Sequence, residues 1–491
     1  MLCGIYPEKP IQKEITFYLP KNYPFNESQK KAIQMAVTNP FSLIQGPPET
    51  GKTHTIGGIA VQSLHQDRIK KVLICGTTNV SINSLLEIVG DMVQLSGFKV
   101  CWPAASQKDF TSEKDLTKEQ KLMTLYKSIQ HNSEMGKRFK YLFNKEKREP
   151  IEEKEMKDLR EKLENIIIKE SDVIFSTLDS SSKYSILKNI RPVSTLIVDE
   201  ATLSVESSMI IPLSLCPDRF VLVGDHKQLG PQPSFEELNK KGYYQSLFER
   251  IIQKKLCLKN SVMLSTQYRM HPDISRMPNQ LFYNNELIDG VQPRDRKIAE
   301  KFVLKKHLNF INNSSKDERN GTSYINKAEI IIVSKLVNSL IQCGVNSSQI
   351  GVISAYGAQA QLISENLKNN NLRVKVSTID SFQGSQRDYI IICTTRSGST
   401  LGFLSDNRRM NVAITRARCF AAIIGNSDTL SHSTSWCEII NYTKNKGSYY
   451  EKLPNQIEKT KQKQLIITKS KDNCVRVMVT EFKEKTKRCW L

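Results

Sequence analysis

The chain of 491 residues lacks several patterns that mark whole classes of protein. No apolar run approaches the ~18 residues that a membrane-spanning helix needs. The N-terminal sequence MLCGIYPEKPIQKE has no apolar stretch behind a basic start, so it does not resemble a secretory signal. These absences predict a cytoplasmic or nuclear protein that has no membrane partner.

Clustered metal ligands and two common hydrolase motifs are also missing. The 11 cysteines and 7 histidines are dispersed, with no CxxC pair and no Cys/His cluster at ligand spacing. This pattern predicts reduced thiols and no structural zinc. HExxH and GxSxG do not occur, so metalloprotease and serine-hydrolase functions gain no support.

The chain has an excess of positive charge. Its 71 Lys and Arg residues against 50 Asp and Glu residues leave a formal net charge of +21. Lysine and arginine gain affinity for nucleic acids by displacing counterions from phosphates, so the charge indicates a polyanionic partner. On charge alone, a basic surface without a partner is the alternative.

Short, continuous apolar runs recur along the chain, and helical or polar stretches separate them. They form two series, at 41–46, 71–76, 172–177, 195–200 and 219–225, and at 262–265, 350–356, 374–380, 389–395 and 420–426. Such runs are typical of strands that are buried on both faces of a parallel sheet. The sequence therefore predicts an α/β fold with two tandem parallel-sheet domains, at 1–260 and 261–430.

Two segments differ from this pattern. Residues 105–170 are rich in both charges and show two helical stripes, which predict a helical hairpin inserted into the first domain. Leu122, Leu125 or Tyr126, and Ile129 form one stripe, and Met156, Leu159, Leu163 and Ile166 form the other. Residues 431–491 alternate lysine with polar residues and predict a basic C-terminal extension.

The sequence IQGPPETGKTHT contains the spacing G-x-x-x-x-G-K-[ST]. Gly46, Gly51, Lys52 and Thr53 satisfy it, between an apolar run and a helix-like stretch. In this context the loop amides and the helix N-terminus bind phosphates. Lysine reaches the β- and γ-phosphates and the threonine hydroxyl ligates Mg²⁺. The pattern predicts a nucleotide site.

Two carboxylates follow a later apolar run, in STLIVDEAT. Asp199 and Glu200 end a predicted strand, at the edge of the sheet where ligands of open α/β folds bind. Asp199 is suited to hold Mg²⁺ through water, and Glu200 to orient or deprotonate the attacking water. A further run, FVLVGDHKQLGP, supplies Gln228.

Six motifs in order carry a family resemblance: GPPETGKT, VDEAT, VGDHKQLGP, TQYRMHP, TIDSFQG and RRMNVAITRAR. The chain resembles superfamily 1 helicases from about residue 26 to 426, and in particular the branch with the nonsense-mediated-decay helicase and senataxin. The resemblance implies two RecA-like domains that bind ATP and Mg²⁺ between them. It also implies action on single-stranded RNA or DNA.

The resemblance implies roles for individual residues. Gln29 corresponds to a glutamine that reads the adenine edge, although a helix start capped by Asn26 or Ser28 is the alternative at this point. Tyr268 corresponds to an aromatic residue that stacks on adenine, and Gln228 to a sensor of the γ-phosphate. The remaining correspondences are Arg269 and Arg416 as arginine fingers, Gly384 and Gln386 at the nucleotide, and Thr78, Asn79, Thr177, Thr378, Asp380 and Gln383 along the nucleic-acid track.

The sequence departs from the family pattern at several positions, and two of them, Glu49 and Gln386, concern nucleotide binding. Glu49 stands in the P-loop where relatives generally have glycine, which predicts an awkward backbone angle and an anion beside the phosphates. Our hypothesis is that Glu49 weakens ATP affinity or slows turnover. Gln386 replaces the glutamate of FQGxE that reaches the ribose, and an amide can still bond the hydroxyls.

We therefore expect an ATP hydrolase that couples hydrolysis to 5′–3′ movement on single-stranded RNA or DNA and to duplex unwinding. The alternative is a catalytically weakened clamp derived from such a helicase, and Glu49 is its main support. A P-loop kinase or NTPase unrelated to nucleic acid does not explain QYRMHP, FQG and NVAITRAR together. Protein partners are not indicated.

Overall fold

The computed structural model of the chain describes residues 15–67, 71–103, 134–233, 235–256 and 258–454, and the backbone of 464–469 and 475–480. The chain divides into two compact units, Met1–Tyr268 and Arg269–Leu491. Each contains one parallel sheet, which confirms the predicted α/β class. No helix among the described residues combines the length and apolar character needed to cross a bilayer.

The first unit alternates strands with helices along the chain. Its strands are β1 (Phe41–Gln45), β2 (Val72–Gly76), β3 (Val100–Cys101), β4 (Val173–Thr177), β5 (Thr195–Val198), β6 (Arg219–Gly224), β7 (Ser261–Met263) and β8 (Thr266–Gln267). Its helices are α1 (Glu27–Thr38), α2 (Lys52–Gln66), α3 (Asn79–Leu85), α4 (Asp91–Leu95), α5 (Glu134–Asn144), α6 (Pro150–Glu170), α7 (Tyr184–Asn189), α8 (Glu206–Leu213), α9 (Glu236–Lys240) and α10 (Leu247–Gln253).

The first sheet has seven parallel strands in the order β3-β4-β2-β5-β6-β1-β7. Its strands bury side chains on both faces, as the continuous apolar runs predict. In β1, Leu43 packs into the core beneath α6 and α10, whereas Ile44 packs into the core beneath α1 and α2. The carboxyl ends of β1, β5 and β6 therefore lie side by side at one edge.

One predicted strand belongs to a different sheet from the one expected. The run VMLS at 262–265 opens the second series in the sequence, yet β7 pairs with β1 in the first sheet. The strand is short and half-buried, so its apolar pattern carries little information about which sheet it joins.

Helices α5 and α6 lie antiparallel in the inserted segment and are joined by a short turn. Two ion pairs connect them, Arg138–Glu155 at 2.8 Å and Lys145–Glu152 at 2.6 Å. The stripe predicted on α6 is wrong at its end, because Ile166 is 41% exposed and Ile167 is buried instead. A drift of one position is expected when a helix turns every 3.6 residues. The stripe at Leu122–Ile129 lies outside the described residues.

The second unit repeats the alternation. Its strands are β9 (Ile288–Asp289), β10 (Leu308–Asn312), β11 (Glu318–Asn320), β12 (Ser323–Ile325), β13 (Ile350–Ser354), β14 (Lys375–Thr378), β15 (Arg387–Cys393), β16 (Ala417–Gly425), β17 (Tyr449–Tyr450), β18 (Gln464–Lys469) and β19 (Val475–Thr480). Its helices are α11 (Pro272–Phe282), α12 (Lys327–Gln342), α13 (Gly357–Asn369), α14 (Ile379–Phe382), α15 (Asn407–Ile414), α16 (Ser427–Leu430) and α17 (Thr434–Asn445).

The second sheet has six parallel strands in the order β14-β13-β15-β16-β10-β17. Val333 of α12 and Ile363 of α13 pack against one face of it, over Val352 and Ile391. Two antiparallel hairpins, β11–β12 and β18–β19, stand apart from this sheet. Strand β17 adds to the edge of the sheet, so the fold of this unit continues beyond residue 430.

Candidate nucleotide and nucleic-acid site

The P-loop connects β1 to α2 and is held in a tight path. The N–H of Gly46 donates to the carbonyl of Gly224 (2.8 Å), and Nζ of Lys52 donates to the carbonyl of Gly46 (3.0 Å). A Cβ at residue 46 would lie 2.1 Å from Cγ of Lys52, so only glycine lets the lysine fold over the loop. Gly51 has a φ of 82° and starts α2 without a side-chain cap. The first helix amides can therefore bind an anion.

The paired carboxylates lie where β5 ends. Asp199 is buried, and its Oδ1 has no hydrogen-bond partner among the described residues. Burial, together with the charge of Glu200, raises the pKa of Asp199 to about 7, although Lys52 acts in the opposite direction. A buried carboxylate oxygen without a partner is costly unless a cation is close. Carboxylate and hydroxyl oxygens suit Mg²⁺, and Thr53 lies beside Lys52 in the first turn of α2.

Glu200 is held in an unfavourable backbone conformation next to the lysine. Its φ is 48°, in the left-handed region, and its Oε1 lies 3.8 Å from Nζ of Lys52. Non-glycine residues seldom adopt this conformation, and those that do are enriched at functional sites. The turn therefore directs a partly exposed carboxylate toward the P-loop.

Gln228 follows β6 and belongs to a small polar network. Its Nε2 donates to Oδ2 of Asp225 (2.8 Å), and Oδ1 of Asp225 accepts from Nε2 of Gln45 (3.2 Å). Gln45 is paired with Gly224 across the adjacent strands β1 and β6. The network thus links the strand that enters the P-loop with the loop that carries Gln228.

The two residues assigned to the adenine side, Gln29 and Tyr268, both contact Asn26 and the P-loop. Gln29 is buried, its Oε1 accepts the N–H of Asn26 (3.0 Å), and its Nε2 donates to the carbonyl of Thr50 (3.1 Å). Asn26 is the N-cap of α1, as one of the sequence alternatives expects. Tyr268 is 41% exposed, its N–H donates to the carbonyl of Glu49 (3.0 Å), and its hydroxyl accepts from Nδ2 of Asn26 (3.0 Å). The described contacts of Gln29 serve the helix cap and the P-loop.

The two predicted arginine fingers come together within the second unit, although 147 positions separate them in the chain (416 − 269). Nη1 of Arg269 donates to the carbonyl of Thr415 (2.8 Å), and Nη2 of Arg416 donates to Oγ1 of Thr415 (3.3 Å). Nε of Arg269 donates to Oε1 of Gln386 (2.9 Å). Both guanidinium groups are buried, and fixed hydrogen bonds hold them in one orientation.

The predicted nucleic-acid residues of the first unit lie at the carboxyl ends of neighbouring strands. Thr78 caps α3 just after β2, and its Oγ1 accepts the N–H of Ser81 (3.2 Å). Thr177 ends β4 opposite Gly76 of β2. Asn79, the first residue of α3, is exposed beside them. Exposed hydroxyl and amide groups at one sheet edge are suited to phosphate and sugar contacts.

The predicted nucleic-acid residues of the second unit likewise lie at or just after the carboxyl end of a strand. Thr378 ends β14 and caps α14, and Asp380 lies in that short helix. Gln383 and Gly384 follow it, and Gly384 has a φ of 78°. Arg409 of α15 makes two hydrogen bonds to the carboxylate of Asp380, at 3.1 and 3.2 Å. Sequence reasoning missed this pairing, although RRMNVAITRAR contains the arginine.

A further cluster joins residues that are distant in sequence. Ligand atoms of His271, Asp273 and His307 lie within 4.8 Å of one another, and the two imidazole rings stack with centroids 3.4 Å apart. Nδ1 of His271 accepts the N–H of Asp273 (3.1 Å) and so caps α11. Burial and the neighbouring His307 lower the pKa of His271 to about 4. Parallel rings do not direct their lone pairs at one point, so we assign the cluster to capping and packing.

Comparisons with known proteins identify relatives of this chain. Two family models, each described as an AAA domain, match this chain. One matches residues 24–158 and 103–232, and the other matches residues 243–428. The regulator of nonsense transcripts 1 homolog of Neurospora crassa is 33% identical over 453 residues, which are 89% of this chain and 40% of that protein. The ATP-dependent helicase upf1 of Schizosaccharomyces pombe is 32% identical over 466 residues, 90% of this chain and 48% of that protein.

The chain thus spans less than half the length of these relatives. Among solved structures, the PRRSV helicase matches with a TM-score of 0.39 and 14% identity, over 81% of this chain and 54% of that chain. A structural similarity of this size carries no argument about the site.

Proposed function

This chain belongs to the superfamily 1 helicases of the branch that includes the regulators of nonsense transcripts, and we propose that it is an ATP-dependent helicase. In this proposal, ATP hydrolysis drives 5′–3′ movement along single-stranded RNA or DNA and separates duplexes. The observation that carries it is the P-loop lysine close to a buried carboxylate, of which one oxygen has no hydrogen-bond partner among the described residues, and a second carboxylate in a strained turn. This is the donor set that a metal-bound triphosphate requires.

The residues of the first unit bind the nucleotide and prepare the water. The P-loop from Gly46 to Gly51 would hold the phosphates with its amides, and Lys52 would neutralise the β- and γ-phosphates. Thr53 and Asp199 would hold Mg²⁺, which supplies charge neutralisation at the phosphate oxygens. Glu200 would accept a proton from the attacking water.

Other side chains sense the nucleotide and complete the neutralisation. Gln228 would respond to the γ-phosphate through its network with Asp225. Arg269 and Arg416, fixed on Thr415, would stabilise the charge that spreads over the γ-oxygens, for which one arginine contributes roughly 10³–10⁵ in rate. These roles are expectations from the family motifs, and the geometry inside each unit supports them.

Tyr268 would stack on adenine, and Gln29 would approach its edge. Gly384 and Gln386 would lie near the ribose. A strand would follow Thr78, Asn79 and Thr177 in the first unit, and Thr378, Asp380 and Gln383 in the second. Contacts of this kind position a strand without reading its sequence.

Steady-state ATP hydrolysis with and without poly-U or poly-dT tests this proposal. We expect stimulation in the native chain and its loss in Lys52→Ala and Glu200→Gln. Lys30→Ala is the matched control, because Lys30 pairs only with Glu27 on the surface of α1 among its described contacts. Unchanged turnover in Lys52→Ala or Glu200→Gln would refute the mechanism. Duplexes with 5′ or 3′ tails of RNA or DNA then determine polarity and substrate.

A second function is favoured by one observation. Glu49 has a φ of 52° and an exposed side chain, so the P-loop carries both backbone strain and an anion. A clamp that binds strands with slow hydrolysis would show strand binding but no stimulated turnover in the same assay.

A further inference from the structure

Aromatic and arginine side chains form a chain of contacts at the carboxyl edge of the second sheet. Cζ of Arg396 lies 3.9 Å from the centroid of the Tyr324 ring, and the Tyr324 and Tyr356 rings meet edge to face at 5.4 Å. The Tyr356 and Phe403 rings follow at 5.5 Å, and Cζ of Arg409 lies 5.0 Å from the centroid of Phe403. The resemblance to superfamily 1 helicases assigned no binding or catalytic role to the residues of this cluster.

Three features fix the loop that carries Phe403. Gly402 has a φ of 55°, and a Cβ there would lie 2.5 Å from the hydroxyl of Tyr356, so the residue must be glycine for the loop to approach so closely. Nε1 of Trp436 donates to the carbonyl of Leu404 (3.0 Å). Nη2 of Arg396 donates to Oγ1 of Thr400 (2.9 Å) on the N-terminal side of Phe403. The loop is therefore supported on both sides of Phe403.

Phe403 itself is 53% exposed, while its neighbours Leu404 and Tyr356 are 2% and 4% exposed. An exposed phenylalanine ring forgoes the free energy that its burial would contribute to stability. The exposure of Phe403 next to buried neighbours is therefore not explained by the stability of the loop. An exposed ring on a rigid support is the arrangement with which single-strand-binding proteins stack bases.

The ring lies beside the predicted nucleic-acid track. Arg409, over Phe403, is bonded to Asp380, which follows Thr378 at the end of β14. Arg409 also lies 3.6 Å from a carboxylate oxygen of Asp406. Two carboxylates thus compensate its charge, so this position offers a ring to a ligand rather than a free cation for phosphate.

We propose that Phe403 is a stacking platform for one base of the bound single strand, supported by Tyr356 and Arg409. The inference rests on the proposed function, because it requires strand binding along Thr378 and Asp380. A nucleobase is the occupant that fits, since the net charge of +21 favours a polyanion and the ring continues the predicted track. If the ring instead served a protein ligand, Phe403→Ala would bind the oligouridylate as the native chain does.

Binding of a fluorescently labelled oligouridylate and of an abasic oligomer of the same length tests this inference. The ionic strength is lowered until the native chain binds both. We expect Phe403→Ala to bind the oligouridylate about 10-fold or more weakly, since loss of one stacked base costs roughly that factor or more. The abasic oligomer should bind the variant and the native chain equally. Phe403→Trp should retain binding.

The salt dependence gives a second readout. Phe403→Ala removes no phosphate contact, so the slope of log Kd against log salt should stay that of the native chain. Phe235→Ala is the matched control, because Phe235 is a 66% exposed phenylalanine of the first unit. Thermal unfolding checks that each variant is folded.

The outcomes separate the inference from the proposed function. If the native chain binds the oligouridylate and Phe403→Ala binds it equally well, only the stacking role falls. If the variant loses affinity for the abasic oligomer to the same extent, the ring acts structurally and the inference is also wrong. If the native chain binds neither oligomer at any ionic strength, strand binding fails and the inference fails with it.

Discussion

Replacing Glu49 by glycine changes two quantities that the structure allows us to estimate separately. The φ of 52° places a non-glycine residue in the left-handed region, which costs roughly 1–2 kcal/mol. Glycine removes this strain but gains conformational freedom in the unfolded chain, which costs roughly 0.5–1 kcal/mol. The free energy of unfolding of Glu49→Gly should therefore rise by at most about 1.5 kcal/mol.

The electrostatic effect is expected to be larger for ATP than for stability. The Glu49 side chain is exposed on the P-loop, two residues before Gly51. Two unit charges about 4 Å apart in water interact by roughly 1 kcal/mol, so removing the carboxylate beside a triphosphate should lower the KM for ATP about fivefold.

Glu49→Gln separates the two effects, because it removes the charge and keeps the side chain in the same backbone conformation. We expect Glu49→Gln to lower KM as Glu49→Gly does, and only Glu49→Gly to raise the Tm. Steady-state hydrolysis at saturating poly-U gives KM and kcat, and thermal unfolding gives the Tm. Equal KM and kcat for the native chain and both variants would refute the reasoning.

The remaining predictions concern Asp199 in the first unit and Arg269 and Gln386 in the second. The raised pKa of Asp199, about 7, means that its contribution to stability is complete at acid pH and is lost as the pH rises through 7. Asp199→Asn should therefore stabilise the metal-free chain more at pH 8 than at pH 5 in thermal unfolding, and equal shifts would contradict this. Arg269→Ala should lower kcat by roughly 10³-fold or more. Gln386→Ala should lower kcat about fivefold, because it removes one hydrogen bond to Arg269. In the Arg269→Ala background the same substitution should have no further effect on kcat. Additive losses in this double-variant cycle would show that Gln386 does not act through the arginine.

Much of the fold and of the first unit's site follows from local pattern. Continuous apolar runs predict β1, β2, β4, β5 and β6, because strands covered on both faces need no polar side chains. The P-loop motif forms a single turn between a strand and a helix, so it can be recognised from residues that are neighbours in the sequence. The awkward angle at Glu49 is predictable for the same reason, and the structure confirms it.

Strand β10 shows where the pattern ends. Its sequence LNFIN lies inside the second sheet, yet the buried Asn309 interrupts the apolar run. Nδ2 of Asn309 donates to the carbonyl of Lys306 (2.7 Å), which offsets part of the cost of burying the amide, while its Oδ1 has no partner among the described residues. No local signal distinguishes such an asparagine from one in a loop.

By itself, the sequence determined which segments are buried, where helices begin and which residues have the chemistry for phosphate transfer. Only the tertiary structure decided that β7 joins the first sheet, that Arg269 and Arg416 share Thr415, and that Arg409 contacts both Phe403 and Asp380. Burial and capping depend on neighbours within a few positions. Contacts between distant segments depend on strand order, which the apolar period of a segment does not encode.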